Sequence, residues 1–201
     1  DPGAADNLSL GKRLPAAYSL YVDAHGAQLQ RHWPLRFDDR HRQSFSDARE
    51  TFRHLIRDSV NEQIGDHTRV GAFLSGGTDS STVAGMLCQI TGRAAPVYSI
   101  GFDAQGYDEM EYARIAARHF GCEHHEYYVT PADLVASLPA VAQHHDQPFG
   151  NSSALPAYYC AKLARADGCS KMLAGDGGDE LFGGNSRYAT QKLFNYYQSV
   201  P

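Results

Sequence analysis

The stretch Val70-Gly71-Ala72-Phe73-Leu74-Ser75-Gly76-Gly77-Thr78-Asp79-Ser80-Ser81 decides the fold. Val70 to Leu74 is short and apolar and reads as a buried strand. Ser75-Gly76-Gly77 ends it, and Ser81 to Cys88 has helical composition. Strand, glycine turn and helix therefore follow one another directly. Two glycines let the backbone turn tightly and approach a ligand closely, so successive N–H groups can point at an anion at the positive end of the helix. The serine hydroxyls add donors to the same phosphate. The loop is not a Walker A loop, because the GxxxxGK[ST] spacing and its lysine are absent.

Downstream the alternation repeats. Val97 to Phe102 and Glu126 to Val129 are expected as strands, and Glu109 to Phe120, closed by Gly121, and Pro131 to Ala142 as helices. A further helix over Ala154 to Arg165 leads through Gly168 into a strand at Lys171 to Ala174. The expected class is α/β, a parallel sheet with helices on both faces. In such sheets ligands bind beyond the carboxyl ends of the strands, near a topological switch point. Upstream, Ala48, Phe52, Leu55, Ile56, Val60 and Ile64 recur at helical steps and predict one core-facing helix with Ser46 as its N-cap. Before it, Tyr18 to Val22, Gly26, and Leu29 to Trp33 predict a hairpin and a polar link.

A chain of 201 residues, 42% hydrophobic and 20% charged, suits one main core with a small appendage. No window is apolar enough for a membrane helix and the start lacks signal-peptide character, so a soluble, cytoplasmic protein without a membrane partner is expected. The four cysteines, Cys88, Cys122, Cys160 and Cys169, form no CxxC pair and read as reduced core thiols. Net charge is −5, with ten basic and ten acidic residues up to Arg69 and eight against thirteen from Val70 onward. An acidic half offers no basic face for a nucleic-acid backbone. If it handles a nucleotide, its carboxylates are expected to hold magnesium, which offsets phosphate charge.

A second loop, Ala174-Gly175-Asp176-Gly177-Gly178-Asp179-Glu180-Leu181-Phe182-Gly183-Gly184, brings three carboxylates within five positions, interleaved with glycines. Such a group has little reason to gather unless a cation is shared. The histidine pairs His124-His125 and His144-His145 read as structural, since neighbours on a strand point to opposite faces. Tyr158-Tyr159 and the run Tyr188, Phe194, Tyr196 and Tyr197 read as helix packing.

The first loop resembles the SGGxDS pyrophosphate-binding loop of the ATP pyrophosphatase superfamily. The second resembles the SG[ED]GxDELFGGY signature of asparagine synthetase-like proteins. Ser99-Ile100-Gly101-Phe102, Tyr107-Asp108-Glu109, His124-His125-Glu126 and Asp146-Gln147-Pro148-Phe149 stand between them in the order and approximate spacing of that family. The resemblance covers about Phe45 to Tyr188. It implies an adenine nucleotide alpha hydrolase-like sheet with ATP at the carboxyl edge of the strands. It also implies an ATP- and Mg2+-dependent ligase that adenylates aspartate for amidation by ammonia drawn from glutamine. A related amidotransferase or lactam-forming synthetase acting on another carboxylate, and a non-catalytic nucleotide-binding fragment, are the alternatives.

By the same resemblance Phe73, Ile100 and Gly175 enclose the adenosine monophosphate portion, and Ser75, Gly76, Gly77, Asp79, Ser80 and Ser81 hold pyrophosphate and metal. Asp79 and Asp179 face each other as magnesium ligands if the strand after Gly168 lies beside that of the first loop. Asp176 matches the carboxylate that takes a proton from attacking ammonia, and Asp108 and Glu180 match acidic positions near the site. Thr78, Ala174 and Asn185 depart from the family pattern at positions where backbone contact suffices. Asp176 stands where glutamine-dependent asparagine synthetases usually have Glu. Residues 1–45 are expected to be the remnant of a preceding glutaminase domain plus linker, and 46–201 the synthetase domain, cut short at its C-terminus and inactive alone. The implied partners are ATP, a small carboxylate substrate and the parent chain's glutaminase domain, with a homodimer left open.

Overall fold

The computed structural model describes residues 13–34, 36, 43–66, 69–102, 109–145, 151, 153–184, 190 and 194. Its chain divides into two units, Asp1–Asp47 and Ala48–Pro201. The first contains the expected hairpin, strands β1 (Tyr18–Asp23) and β2 (Gly26–Arg31), antiparallel with Tyr18 opposite Arg31 and Asp23 opposite Gly26. Its turn is fixed by the His25 amide, which donates to Asp23 Oδ1 at 2.8 Å.

Helix α1 spans Phe45–Ile64. Its cap is Ser44 and not Ser46: Ser44 Oγ accepts from the Asp47 amide at 3.1 Å, while Ser46 already lies inside the helix. The expected apolar face is also narrower than its spacing suggests. Ile56, Val60 and Ile64 reach the core, whereas Ala48 and Leu55 are exposed, and Phe52 sets its ring edge-on to Phe182 with centroids 5.0 Å apart.

The second unit is built on four parallel strands in the order β5-β4-β3-β6, with β3 at Val70–Phe73, β4 at Pro96–Phe102, β5 at Glu123–Val129 and β6 at Lys171–Leu173. The helices between them are α2 (Thr78–Thr91), α3 (Met110–Phe120), α4 (Pro131–Gln143) and α5 (Ala154–Ala166), and a short α6 (Gly178–Phe182) follows β6. Side chains alternate across the sheet as strand geometry requires. Val70, Ala72, Leu74, Val97 and Leu173 join residues of α1, α2 and α3 on one face, while Phe73, Tyr98, Ile100 and Met172 pack with Cys160, Leu163 and Ala164 of α5 on the other. Helices thus cover both faces.

Local signals place the helix ends. α3 stops at Gly121, whose φ of 67° continues no helix and whose N–H returns to the Ala117 and Arg118 carbonyls. α4 starts in a reciprocal capping box. The Asp133 amide donates to Thr130 Oγ1 at 3.2 Å and the Thr130 amide to Asp133 Oδ2 at 2.9 Å, with Pro131 opening the helix. Tyr159 is buried, donates to the Asp133 carbonyl at 2.8 Å and stacks on Tyr127, which is the packing role expected of it.

The strand order also fixes where the two glycine loops end up. From β3 the chain winds outward through β4 to β5, then returns to lay β6 on the opposite flank of β3. The direction of winding reverses between β3 and β6, so the loops that leave their carboxyl ends emerge side by side.

Candidate functional site

The first loop holds itself in shape. Ser75 and Ser80 share a hydroxyl–hydroxyl hydrogen bond of 3.0 Å, Ser80 Oγ accepts from the Ser75 amide at 3.2 Å, and Ser75 Oγ accepts from the Gly77 amide at 3.3 Å. Gly76 carries φ 86°, and a Cβ there would fall 2.6 Å from Tyr112 Cβ and 2.5 Å from the Tyr112 carbonyl carbon. Only glycine fits the turn where it passes the start of α3. Gly77 caps α2 and offers no side-chain hydrogen bond to its first amides. Ser81 Oγ, one turn in, is buried with no hydrogen-bond partner among the described residues.

Behind the loop lies a polar chain that sequence reading does not reveal. The Leu74 amide donates to the Tyr98 carbonyl at 3.0 Å, and Ser99 Oγ donates to the Leu74 carbonyl at 2.5 Å. Ser99 is 3% exposed and also meets His124 Nε2 at 2.8 Å. Its one proton is given to Leu74, so His124 is the donor of that second bond. Beyond it, His124 Nδ1 lies 3.5 Å from Glu126 Oε1, and Arg114 grips both Glu126 oxygens through Nε and Nη2, Nε at 2.8 Å. Burial lowers the pKa of His124, and the Arg114 hydrogen bonds lower that of Glu126. His125 points the other way, stacked on Tyr98 at 4.8 Å and 3.2 Å from Asp167, so the two histidines take opposite faces as expected. The missed link joins residues on adjacent strands, with Val97 paired to His124 and Ser99 to Glu126.

The second loop leans on the first. A Cβ at Gly175 would lie 2.8 Å from the Ser80 amide nitrogen and 2.9 Å from both the carbonyl carbon and Cβ of Asp79, and one at Gly178 would strike the Asp79 carboxylate. Asp79 is thereby set against the backbone of the second loop. Asp179 in turn lies against Gly184, where a Cβ would collide with Oδ1. Asp79 and Asp179 are half-buried, and Asp176 and Glu180 are exposed.

A cavity of about 460 Å³ opens on one side of this junction, lined by Asp79, Gly175, Asp176 and Gly178 together with apolar residues of α1 and α6 such as Val60 and Phe182. Phe73, Ile100 and Ser75 to Gly77 do not line it; Phe73 and Ile100 belong to the apolar cluster on the α5 side. A second cavity, about 660 Å³, lies between the C-terminal halves of α2 and α3 and contains none of these residues. Among the described residues no three His, Cys, Asp or Glu side chains gather as a metal cage, the His pairs included, and all four cysteines are free. Also among them, no helix is long and apolar enough to cross a membrane. Asp108, the Asp146 to Phe149 segment, Asn185, Tyr188, Tyr196 and Tyr197 fall outside the described residues.

The chain is 36% identical over 148 residues to a putative glutamine-hydrolysing asparagine synthetase of Methanocaldococcus jannaschii, a match covering 73% of this chain and 28% of that protein. It is 33% identical over 149 residues to a glutamine-hydrolysing asparagine synthetase of Bacillus subtilis, covering 74% of this chain and 23% of the relative. The chain thus spans about a quarter of the length of the curated relatives it matches. An NH3-dependent NAD synthetase structure from Campylobacter jejuni superposes with TM-score 0.46 at 13% identity, over 68% of this chain and 60% of that one. The family model described as asparagine synthase matches residues 51–200, both glycine loops and the sheet between them included, and the chain therefore belongs to the asparagine synthase family.

Proposed function

We propose that this chain is the nucleotide-binding part of an ATP-dependent amide-forming ligase that adenylates the β-carboxylate of aspartate, releases pyrophosphate and passes the acyl group to ammonia derived from glutamine. The observation that carries this reading is the meeting of the two loops, with the Gly175 and Gly178 backbone closed against Asp79. An anion fits there. The amino end of α2 has no side-chain cap and Ser81 Oγ is an orphan donor, and a phosphate oxygen would satisfy both.

Ser75, Gly76, Gly77, Ser80 and Ser81 would hold the pyrophosphate portion, while Phe73, Ile100 and Gly175 enclose the adenosine monophosphate. Asp79 and Asp179 would hold magnesium, which supplies charge neutralisation at the departing phosphates. Asp176, exposed at the loop tip, would take the proton from ammonia, with Asp108 and Glu180 as further acidic groups. Positioning and charge neutralisation are the main contributions asked of the protein. A glutaminase domain in the same parent chain, with residues 1–45 as its remnant and 46–201 as the ligase part, a cytoplasmic setting and a homodimer complete the proposal. The 201-residue chain alone is expected to be inactive.

Pyrophosphate release by the full-length protein, assayed with each candidate carboxylate, is the decisive test. No release with aspartate rules out asparagine synthesis, and release with another acid points to a related amidotransferase, in keeping with the short side chain at Asp176. Calorimetry of ATP with magnesium on this chain tests the metal assignment, which fails if Asp79→Ala and Asp179→Ala bind ATP as the parent does.

A further inference from the structure

Two of the four cysteines meet near the carboxyl-terminal end of α2, opposite to the end that the first glycine loop caps. Cys88, on the last turns of α2, and Cys122, between α3 and β5, place their sulfurs 3.5 Å apart, although they are 34 residues distant in sequence. A disulfide needs about 2.05 Å between the same atoms, so the sulfurs must close by roughly 1.5 Å.

The pair is asymmetric. Cys88 lines the 660 Å³ cavity between α2 and α3, which a small molecule can enter, whereas Cys122 does not line it. Cys88 Sγ also accepts from the Ala95 amide at 3.4 Å. Burial pushes the Cys122 thiol up to about 12, with a further contribution from Cys88 itself.

We propose that Cys88 and Cys122 form a reversible oxidation site: Cys88 is the accessible thiol that reacts first, and Cys122 is the resolving thiol that closes an intramolecular disulfide. The co-reactant is a low-molecular-weight disulfide of the glutathione class. The Cys88 thiolate attacks one sulfur of that disulfide, forming a mixed disulfide and releasing one thiol. The Cys122 thiolate then attacks Cys88 Sγ, forming the Cys88–Cys122 bond and expelling the second thiol, which takes up the proton Cys122 loses. The two cysteines give up two electrons and the small disulfide accepts both. Cys160 and Cys169 have no part in this. Cys160 is 5% exposed and touches the Tyr98 carbonyl, and Cys169 meets the Tyr98 hydroxyl.

The test uses the full chain, reduced, freed of reductant and exposed to excess oxidised glutathione. It is then unfolded and alkylated, and its intact mass and peptides are measured. Two alkylated cysteines in place of four, a loss of two hydrogens, a Cys88–Cys122 linked peptide and full reversal by dithiothreitol are expected. Cys122→Ala is expected to keep one glutathione on Cys88. Four alkylated cysteines, a link between another pair, or glutathione retained on Cys88 of the unsubstituted chain would overturn the proposal. Because the wild-type thiol count requires no substitution, a variant that fails to fold leaves the result intact.

Discussion

The loop after β3 is tied together by its own side-chain hydrogen bonds, whereas the loop after β6 has only backbone hydrogen bonds of its own and leans on the first. Ser75, Gly77 and Ser80 tie the first loop together through two hydroxyls, and the 14-residue α2 follows it. Residues 174–184 make no side-chain hydrogen bond among the described residues. Their amides at Gly178, Leu181 and Gly183 bond only to backbone carbonyls of the same segment, and α6 is five residues long. The first loop is therefore formed before any ligand arrives, and the second is placed by contact with Asp79 and Ser80. If a phosphate binds between them, the first loop meets it with little reorganisation, and the ordering cost falls on the second.

Glycine substitutions break this comparison most sharply. At Gly76 an alanine faces both a left-handed φ and a collision with Tyr112 backbone, so Gly76→Ala is expected to lose roughly 2–4 kcal/mol in urea unfolding. Gly92→Ala, at φ 64° with nothing within 4 Å, is the control and should lose only about 1 kcal/mol. Equal losses at the two sites would mean that the first loop is not wedged against α3.

Gly175→Ala comes next. Its Cβ meets backbone of the first loop, so the loops must part, at roughly 1–3 kcal/mol. If that cost falls on the bound state, ATP affinity drops between about fivefold and a hundredfold by calorimetry. Gly177→Ala, facing open space, should leave affinity close to wild type despite its φ of 89°. Smaller again is Ser80→Ala, which removes the acceptor of the Ser75 amide and the partner of its hydroxyl. At these exposed groups about 1 kcal/mol is expected, read as faster amide exchange at Ser75 and Gly77.

How much of this was legible in the sequence depends on the range of the contact. The short apolar run Val70 to Leu74, the stop at Gly121 and the start at Pro131 are local signals, and they placed strands and helices to within a few residues. Ser44 displaced Ser46 as cap because both residues can accept and only three-dimensional geometry chooses between them. Leu55, at a core-like step on α1, is 63% exposed because a helical period names a face without saying how wide a strip the sheet covers. The second loop could be read as a motif, but its contact with Asp79 depends on β6 returning beside β3. The Ser99–His124 bond likewise depends on strand register, which nothing local in either segment encodes.

The smallest effect concerns the support beneath the first loop. His124 is half-buried beside Ser99, with Glu126, Arg114 and His125 as its charged neighbours, and desolvation lowers its pKa from the ordinary value of about 6.5. Below that pH the unfolded chain binds a proton at this position that the folded chain resists, so stability falls as pH drops from about 6.5 toward the folded value. Glu126 acts in the same direction but lower. Its pKa is depressed by Arg114, so its contribution is present above the ordinary carboxylate range and is lost as pH falls through the folded value. His124→Gln keeps a donor for Ser99 while removing the titration. It should flatten the part of the stability profile just below about pH 6.5 and leave the carboxylate fall at lower pH in place. Urea midpoints across that range decide the matter. A wild-type slope in His124→Gln would assign the acid sensitivity to another of the ten histidines, and an additional loss of amide protection at Ser75 would show that the imidazole also holds the loop in position through Ser99 and the Leu74 carbonyl.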